Sequence, residues 1–458
     1  MFSMYLASNM KKIILLFLVF FLLGSCSVFR TKAPSYPSGV FFPLVKAGEI
    51  VYPGRIIDHI ERDGDKLYLS TQNGNVYCFD GAERQMLWET KVSEDLMSPP
   101  SVGTENIYVY DRSSTLYCLN KKGNLLWKID VEEGITSGIA ELNTAVCLGT
   151  EKGNLYAFDT VDGKELWRFQ AEGPIHSTPV FADNKIFFGC DDHNLYILSW
   201  EGHLIGRIKV DGKIQGTPLV EKNLVYFGSD DHHFYCFSIQ KRKKRWKVKT
   251  GGKIFTSPVV SGKRILFLCW NNVVYCLHKK KGHILWWQMI PSRSLYRLEV
   301  SGDRVVVSSL SPVLVSFDLE TGENVGGFDA KQELKSNPVW LDPYLLFSLF
   351  DDQKDSGRIL FLKKRVRVSL KASKQSPQKV GEEVKFTASV IGFFMPKYEF
   401  YLIEGEEEVV VQESSENNSW AWFPEKTGDY IVGVRVFDGK ENASAEIPFS
   451  VQESQKLK

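Results

Sequence analysis

The chain lacks a dominant charge, helical periodicity and recognisable catalytic motifs. Its 56 Lys and Arg residues nearly balance 55 Asp and Glu residues, which argues against nucleic-acid binding because that function needs a basic surface. No window of residues 40–363 shows the 3.6-residue apolar period of a helix. Gly-x-Ser-x-Gly, His-Glu-x-x-His and phosphate-binding glycine loops are missing. The sequence therefore gives no positive sign of an enzyme.

Cysteines are present, but their positions do not indicate disulfides. Four of the eight follow a repeated tyrosine, at the position that Ala157 and Ile197 hold in other repeats. These four are Cys78, Cys118, Cys236 and Cys276. A position shared with alanine and isoleucine is that of a small buried side chain. We therefore expect free thiols.

A tyrosine-centred pattern recurs about every forty residues, and it predicts the fold. The pattern is centred on Tyr77, Tyr117, Tyr156, Tyr196, Tyr235 and Tyr275, with weaker copies at Val315 and Leu360. A tryptophan column follows in register at Trp88, Trp127, Trp167, Trp246 and Trp286, with Gly206 and Gly326 in its two other places. A proline column follows in turn, interrupted by residues such as Ile60 and Leu298. Self-similarity of this length is typical of a β-propeller.

One repeat, residues 175–210, illustrates the unit. It contains four short segments of strand character, at 177–181, 185–189, 194–198 and 203–210, separated by Gly, Asp and Asn turns. Such a series predicts an antiparallel meander of four strands. Each meander has two apolar faces and needs a neighbour on both sides, as propeller blades have. The predicted class is therefore all-β.

The columns favour an eight-bladed propeller over residues 40–363, with seven blades as the alternative. The last repeat lacks its fourth strand, and residues 40–46 offer a strand that would replace it. We expect this N-terminal strand to complete the last blade and to close the ring. Closure removes the open sheet edges that favour aggregation.

The N-terminus predicts export. Lys11 and Lys12, an apolar run and small residues have the order of a secretory signal peptide over residues 1–25. Residues 23–26, Leu-Gly-Ser-Cys, resemble the bacterial lipobox, which implies that Cys26 carries lipid, palmitate included. Ser27 is compatible with transfer to the outer membrane, and residues 26–39 would form a tether. An uncleaved anchor is the alternative, although the run is shorter than the ~20 residues of a spanning helix.

Residues 366–452 lack the forty-residue period and predict a second domain. Four segments alternate as strands do, at 384–390, 398–402, 408–412 and 430–436. The sequence Thr427-Gly-Asp-Tyr430 resembles a turn of immunoglobulin-like and PKD-type sandwiches. The length fits such a sandwich. We expect a small immunoglobulin-like accessory module.

The segment from Ala157 to Trp167 resembles the repeat of pyrroloquinoline-quinone-type propellers, and related stretches end at Trp88, Trp127 and Trp286. In that family the tryptophan docks between adjacent blades, which implies a structural role for the tryptophan column, Trp246 included. Quinoprotein dehydrogenases share the fold but carry an adjacent cysteine pair and acidic calcium ligands. This sequence has no Cys-Cys dipeptide, so neither a cofactor nor a catalytic residue is assigned.

The same repeat is similar to that of non-enzymatic lipoproteins, which include the propeller subunit of the bacterial outer-membrane β-barrel assembly machinery. The resemblance implies a monomeric scaffold in the cell envelope that binds envelope or outer-membrane proteins. It implies the periplasmic side of the outer membrane, with surface exposure as the alternative. Two other functions stay open: a quinone-dependent oxidoreductase, and a surface lipoprotein that binds a ligand or glycan.

Two polar clusters have alternative interpretations. Lys241, Arg242, Lys243, Lys244 and Arg245 form a basic run, which is either a solvated turn or a patch for an acidic partner or anionic lipid. Asp191-Asp-His193 and Asp230-Asp-His-His233 occupy equivalent turns of adjacent repeats. Aspartate and histidine are ordinary residues of tight turns, so turns are favoured there over a metal site.

Overall fold

The computed structural model describes residues 44–453, apart from residues 143, 295, 365, 392–395 and 439–440. Every regular element within these residues is a β-strand, which confirms the all-β prediction. The described part of the chain accordingly offers no helix of the length and apolarity that a membrane crossing requires. The predicted signal peptide (residues 1–25), the tether (residues 26–39) and Cys26 lie outside the described residues.

Eight four-stranded sheets follow one another along the described chain, and each is called a blade. Blade 8 contains β1 (Leu44–Pro53) together with the last three strands of the series. Blade 1 is β2 (Glu61–Asp63), β3 (Lys66–Ser70), β4 (Asn75–Asp80) and β5 (Gln85–Lys91). Blade 2 is β6 (Ser101–Val102), β7 (Asn106–Tyr110), β8 (Thr115–Asn120) and β9 (Leu125–Asp130). Blade 3 is β10 (Ala140–Leu142), β11 (Ala145–Gly149), β12 (Asn154–Asp159) and β13 (Glu165–Gln170).

The remaining blades repeat the same order. Blade 4 is β14 (Val180–Ala182), β15 (Lys185–Gly189), β16 (Asn194–Ser199) and β17 (Leu204–Lys209). Blade 5 is β18 (Leu219–Glu221), β19 (Leu224–Gly228), β20 (His233–Ser238) and β21 (Lys243–Lys249). Blade 6 is β22 (Val259–Ser261), β23 (Arg264–Cys269), β24 (Val273–His278) and β25 (Ile284–Met289). Blade 7 is β26 (Glu299–Ser301), β27 (Arg304–Val307), β28 (Val313–Asp318) and β29 (Asn324–Asp329), and blade 8 adds β30 (Val339–Leu341), β31 (Tyr344–Asp351) and β32 (Ser356–Lys364).

Burial within a blade follows from its position between two neighbours. In blade 4 the central strand β16 is buried on both faces from Asn194 to Leu198, whereas the outer strand β17 is mostly exposed. The innermost strand β14 starts at Val180, after the proline of the predicted strand 177–181. Proline has no amide hydrogen for the ladder, so the residues up to Pro179 lead into the strand and do not belong to it.

The first described strand belongs to the last blade. β1 pairs antiparallel with β32, from Leu44 opposite Lys364 to Pro53 opposite Ser356. The observed strand lies later in the sequence than the predicted strand at residues 40–46, of which residues 40–43 lie outside the described chain. Blade 8 also packs against blade 1, because one buried cluster contains Tyr52 of β1 and Leu69 of β3.

Residues 367–452 form two further sheets. The strands are β33 (Arg367–Ala372), β34 (Gln378–Lys379), β35 (Val384–Ile391), β36 (Lys397–Glu404), β37 (Glu407–Ser415), β38 (Ser419–Trp422), β39 (Gly428–Asp438) and β40 (Glu441–Gln452). One sheet has the order β33-β35-β38, and the other has the order β34-β40-β39-β36-β37. Phe386 of the first sheet and Val434 of the second share one buried cluster. These residues therefore form a two-sheet sandwich.

The cysteines of the propeller are free, as the sequence predicts. Cys78, Cys118, Cys147, Cys190, Cys236, Cys269 and Cys276 are all buried thiols. Burial raises the pKa of Cys118 to about 12, because a thiolate is poorly solvated away from water. These side chains therefore act as small apolar residues of the blades.

Candidate binding surfaces and the central channel

The tryptophan column joins successive blades. Four of its indole groups donate the Nε1 hydrogen to a backbone carbonyl of the next blade, at 3.1–3.2 Å. The pairs are Trp88 with Lys121, Trp127 with Thr160, Trp246 with Lys279, and Trp286 with Leu319. Each indole also lies against a glycine of the next blade, and Trp167 lies against Gly202 in the same way. These tryptophans bury apolar surface at the blade junctions.

At Gly206, where the column holds glycine in place of tryptophan, a side chain of the next blade fills the space. A Cβ atom at Gly206 would lie 3.5 Å from Cζ of Arg242, and the Arg242 guanidinium donates to the carbonyl of Ile205 at 3.0 Å. Arg242 stands at the position of Gly202 and Gly282 in the neighbouring blades and keeps their positive φ, at 47°. The arginine of one blade thus occupies space that a tryptophan fills elsewhere.

The same exchange occurs at the junction of blades 8 and 1. A Cβ atom at Gly48 would overlap Nη1 of Arg84, which donates to the carbonyl of Ala47 at 2.7 Å. Arg84 also lies over the rings of Tyr344 and Phe361. This exchange was not predicted from the sequence. The signal that could have indicated it is an arginine at a turn position that other blades fill with glycine.

The basic run Lys241–Arg245, called the basic strip, is exposed throughout. A solvated turn is one of the two interpretations given above, but β21 begins at Lys243, so only Lys241 and Arg242 belong to the turn. Arg242 contributes to the blade junction. The other four side chains have no carboxylate within ion-pair distance in the part of the chain that the structure describes. By contrast, Lys279 of the next blade pairs with Glu221 at 2.6 Å. The strip is therefore a local excess of positive charge.

The aspartates of the two repeated turns hold neighbouring side chains. Tyr196 donates its hydroxyl hydrogen to Asp192 at 2.5 Å, and Tyr235 donates to Asp231 at 2.6 Å. Asp191 accepts from Lys213 at 2.7 Å. The repeat tyrosines and the turn aspartates, which the sequence shows separately, therefore meet in one hydrogen bond in each of these two repeats.

A central cavity of about 910 Å³ is lined by the innermost strands and the segments before them. Most of its walls are Ser, Thr, Pro and Val side chains, but Asp58, His59, Glu61, Arg297 and Glu299 form a charged group on one side. These residues flank Ile60 and Leu298, where the proline column is interrupted. That interruption is the signal that could have located them from sequence.

His59 is held between two carboxylates. Nδ1 lies 2.7 Å from Oδ2 of Asp58, and Nε2 lies 2.8 Å from Oε1 of Glu61. Burial alone would lower the pKa of His59, but these two hydrogen bonds outweigh it and raise the pKa to about 9. His59 also holds the pKa of Glu61 below its usual range, against the opposing effect of burial. The arrangement favours an imidazolium at neutral pH.

Comparison with known proteins places this fold. The family model described as outer membrane protein assembly factor BamB matches residues 54–128, 112–201 and 243–325, together just over half of the chain. The crystal structure of BamB from Moraxella catarrhalis superposes with a TM-score of 0.59 at 15% identity, covering 69% of this chain and 97% of that one. A computationally designed protein, Ika8, superposes with a TM-score of 0.57 at 14% identity, over 68% of this chain and 97% of its own.

Sequence relatives match shorter segments. Outer membrane protein assembly factor BamB from Burkholderia pseudomallei is 28% identical over 107 residues, which are 23% of this chain and 28% of that protein. The human beta-alanine-activating enzyme is 26% identical over 140 residues, 28% of this chain and 13% of that enzyme. The matched part of this chain thus spans only 28% and 13% of the length of these two relatives.

Fold and repeats define the class: this chain is a β-propeller built of pyrroloquinoline-quinone-like repeats, followed by a β-sandwich. Because the family model covers just over half of its length, the chain belongs to the family described as outer membrane protein assembly factor BamB.

Proposed function

We propose that this chain is a non-enzymatic lipoprotein of the bacterial cell envelope that acts as a protein–protein interaction scaffold in outer-membrane protein assembly. The observation that carries the proposal is the family match over the propeller repeats. Lipid on Cys26 anchors the chain to the outer membrane, with the propeller in the periplasm as a monomer. The partners are envelope or outer-membrane proteins.

The basic strip is the surface that we assign to a partner. Its exposed cations without carboxylate partners create a positive field that accelerates and orients association with an acidic surface. Lys243 and Lys244 pair with Ser238 and Phe237 of β20, whereas Arg245 lies at a bulge between Lys244 and Trp246. The strand therefore presents Lys243 and Lys244 at fixed spacing. The strip therefore suits an acidic protein surface better than a mobile turn would.

We assign the C-terminal sandwich an accessory role as an immunoglobulin-like or PKD-like module. Tyr430 donates its hydroxyl hydrogen to the backbone carbonyl of Lys426 at 3.2 Å. A tyrosine that bonds to the backbone a few residues upstream is a feature of immunoglobulin-type sandwiches. This contact supports the resemblance that the sequence suggests around residues 427–430.

The test of the scaffold function is capture of partners from the envelope. The tagged full-length chain is expressed in a diderm bacterium, cross-linked in intact cells and purified, and partners are identified by mass spectrometry. Reversal of Lys243, Lys244 and Arg245 to glutamate should reduce recovery of the partner at least tenfold. The control reverses Lys122, Lys128 and Lys152, three exposed lysines scattered over other strands and turns, and changes the net charge equally.

Recovery of outer-membrane assembly proteins by the native chain and by the control, but not by the strip variant, is the expected pattern. Equal loss in both charge variants would show that only net charge matters and would remove the assignment to the basic strip. The scaffold function itself would be contradicted if no envelope protein were recovered, or if the chain were found in the cytosol.

Replacement of Cys26 by serine tests the anchor. The variant should lose acyl-chain labelling and leave the membrane fraction, since lipid chains are what hold such a protein at a bilayer. A high-salt wash separates this result from electrostatic binding through the basic strip, which salt screens. A Cys26→Ser chain that still sediments with membranes after the wash would contradict lipid anchoring.

The alternatives predict other results with the same protein. A quinone-dependent oxidoreductase would develop cofactor absorbance and dye reduction after incubation with pyrroloquinoline quinone and calcium. A surface receptor for glycans would be digested by protease added to intact cells. The scaffold proposal predicts that neither signal appears and that protease reaches the chain only after the outer membrane is permeabilised.

A further inference from the structure

Three blades contain an internal aromatic pair that blade 3 lacks. Tyr68 packs against Trp88, with ring centroids 6.2 Å apart. Tyr108 with Trp127 and Tyr226 with Trp246 repeat the contact at 6.0 and 5.9 Å. In blade 3 the tyrosine position holds Cys147, which faces another small residue, Ala157, across the sheet. Trp167 therefore has no aromatic ring packed on it among the described residues.

The missing ring leaves a cavity. Between blades 3 and 4 a space of about 410 Å³ is lined by Cys147, Trp167, Phe181, Ile186 and Trp200, among others. Ala145, which lines it too, stands where blades 1, 2 and 4 carry Lys66, Asn106 and Lys185. Trp200 is 51% exposed, so an aromatic side chain stands at the outer side of the cavity. The volume falls in the range of ligand pockets, about 300–1,000 Å³.

The indole N–H of Trp167 also differs from its counterparts. The other four tryptophans of the column donate to a carbonyl 33 residues later, and for Trp167 that residue is Trp200. No hydrogen bond from Trp167 Nε1 is formed within the described chain. An indole donor without a protein acceptor, at the wall of a largely apolar cavity, can bond to a ligand that brings an acceptor.

We propose that this cavity binds a single phenolic ring, presented by a tyrosine side chain of a partner polypeptide. Blades 1, 2 and 5 show the fit, since they fill the same position with Tyr68, Tyr108 and Tyr226. The hydroxyl oxygen of the incoming tyrosine accepts the hydrogen bond from Trp167. A polypeptide is the source because Leu166 and Trp200, both about half exposed, lie at the cavity and gain from being covered by a larger surface.

The proposal rests on the scaffold function, but its first test is independent of any partner. Binding of p-cresol, the side-chain analogue of tyrosine, to the purified chain is followed by ligand-observed NMR and calorimetry. We expect saturable binding at one site, at least tenfold tighter than that of 4-methylcyclohexanol, which has the hydroxyl but no aromatic ring. Absence of saturable p-cresol binding would overturn the proposal and leave the scaffold function untouched.

Substitutions locate the site. Cys147→Tyr places the ring of the sister blades into the cavity and should abolish p-cresol binding without lowering the melting temperature. Trp200→Ala removes one wall and should weaken binding at least tenfold. Trp270→Ala is the control, since Trp270 is a similarly exposed tryptophan of another blade. Full p-cresol binding by a folded Trp200→Ala chain would place the ligand elsewhere and overturn the proposal, even if Cys147→Tyr does not fold.

A third experiment identifies the source of the ring. A photo-reactive phenylalanine analogue at residue 166 is activated in envelope extracts, with and without saturating p-cresol. A cross-linked polypeptide that disappears with p-cresol and with Cys147→Tyr is the expected result. If p-cresol binds but competes with no cross-linked polypeptide, the ligand is a free aromatic compound and the assignment to a partner is wrong. Loss of the envelope partners alone, with p-cresol binding intact, would instead contradict the scaffold function.

Discussion

Trp246 of blade 5 packs directly on Gly282 of blade 6: a Cβ atom at residue 282 would lie 2.5 Å from Cδ2 of the indole. The Trp246 Nε1 hydrogen bonds to the carbonyl of Lys279 in the same turn. A tryptophan of one blade and a turn glycine of the next thus form a single contact unit. The unit recurs at five junctions and explains why both residue types keep their spacing.

Gly282→Ala should destabilise the propeller more than Gly262→Ala. Both glycines have positive φ, so alanine is strained at either position, by about 1–2 kcal/mol. Only at residue 282 does the new methyl group also meet the indole, whereas residue 262 faces open space. Trp246→Ala should cost about 3–5 kcal/mol. Denaturant midpoints of the three variants measure the order, and equal effects of the two alanines would contradict the contact.

Gly206 and Arg242 should be energetically coupled. Gly206→Trp alone places an indole into the space of the Arg242 guanidinium and should lower the melting temperature. Combination with Arg242→Gly restores the arrangement of Trp167 and Gly202 and should recover most of the loss. A double-mutant cycle is expected to give a coupling of about 1–3 kcal/mol. Additive effects of the two substitutions would show that these residues do not share one space.

Strand β1 should be essential for blade 8. Tyr52 is buried, its hydroxyl lies 2.6 Å from Oγ of Ser348, and its ring packs on Gly357. Tyr52→Ala should cost about 3–5 kcal/mol, whereas Val51→Ala, at the neighbouring exposed position, should be nearly neutral. Deletion of residues 44–53 exposes the edge of β32 and should cause aggregation in size-exclusion chromatography. A monodisperse deletion variant with an unchanged melting temperature would contradict this role.

His59 should stabilise the fold in a pH-dependent way. Its pKa is raised to about 9 by Asp58 and Glu61, so its stabilisation is fully present below the usual histidine pKa of ~6.5 and is lost as the pH rises through 9. His59→Asn should therefore lower the melting temperature clearly at pH 6 and much less at pH 9.5. His203→Asn changes an exposed histidine and is the control. An equal loss at both pH values would contradict a charged His59.

Much of the propeller could be predicted because its contacts repeat. The tyrosine and tryptophan columns predict antiparallel blades. Short apolar segments, such as the one that contains Leu195 and Ile197, indicate the buried strands. The basic strip and the turn aspartates could also be recognised in the sequence. The sequence did not show that strand β21 begins at Lys243, within the strip. In a repeat fold the same local contact requires the same residue types several times, and this repetition makes the pattern recognisable in the sequence.

What the sequence by itself determined is therefore the unit: four short strands with a central tyrosine, and a tryptophan for the next blade. Only the tertiary structure decided the features that join units or break the repeat. The exchange of Gly206 and Arg242, the group around His59 and the cavity at Cys147 each depend on residues brought together by the stacking of blades. A residue that departs from the repeat can leave a cavity or place a charge, and its neighbours in space decide which. Those neighbours come from other blades, because packing acts between side chains that are distant in sequence.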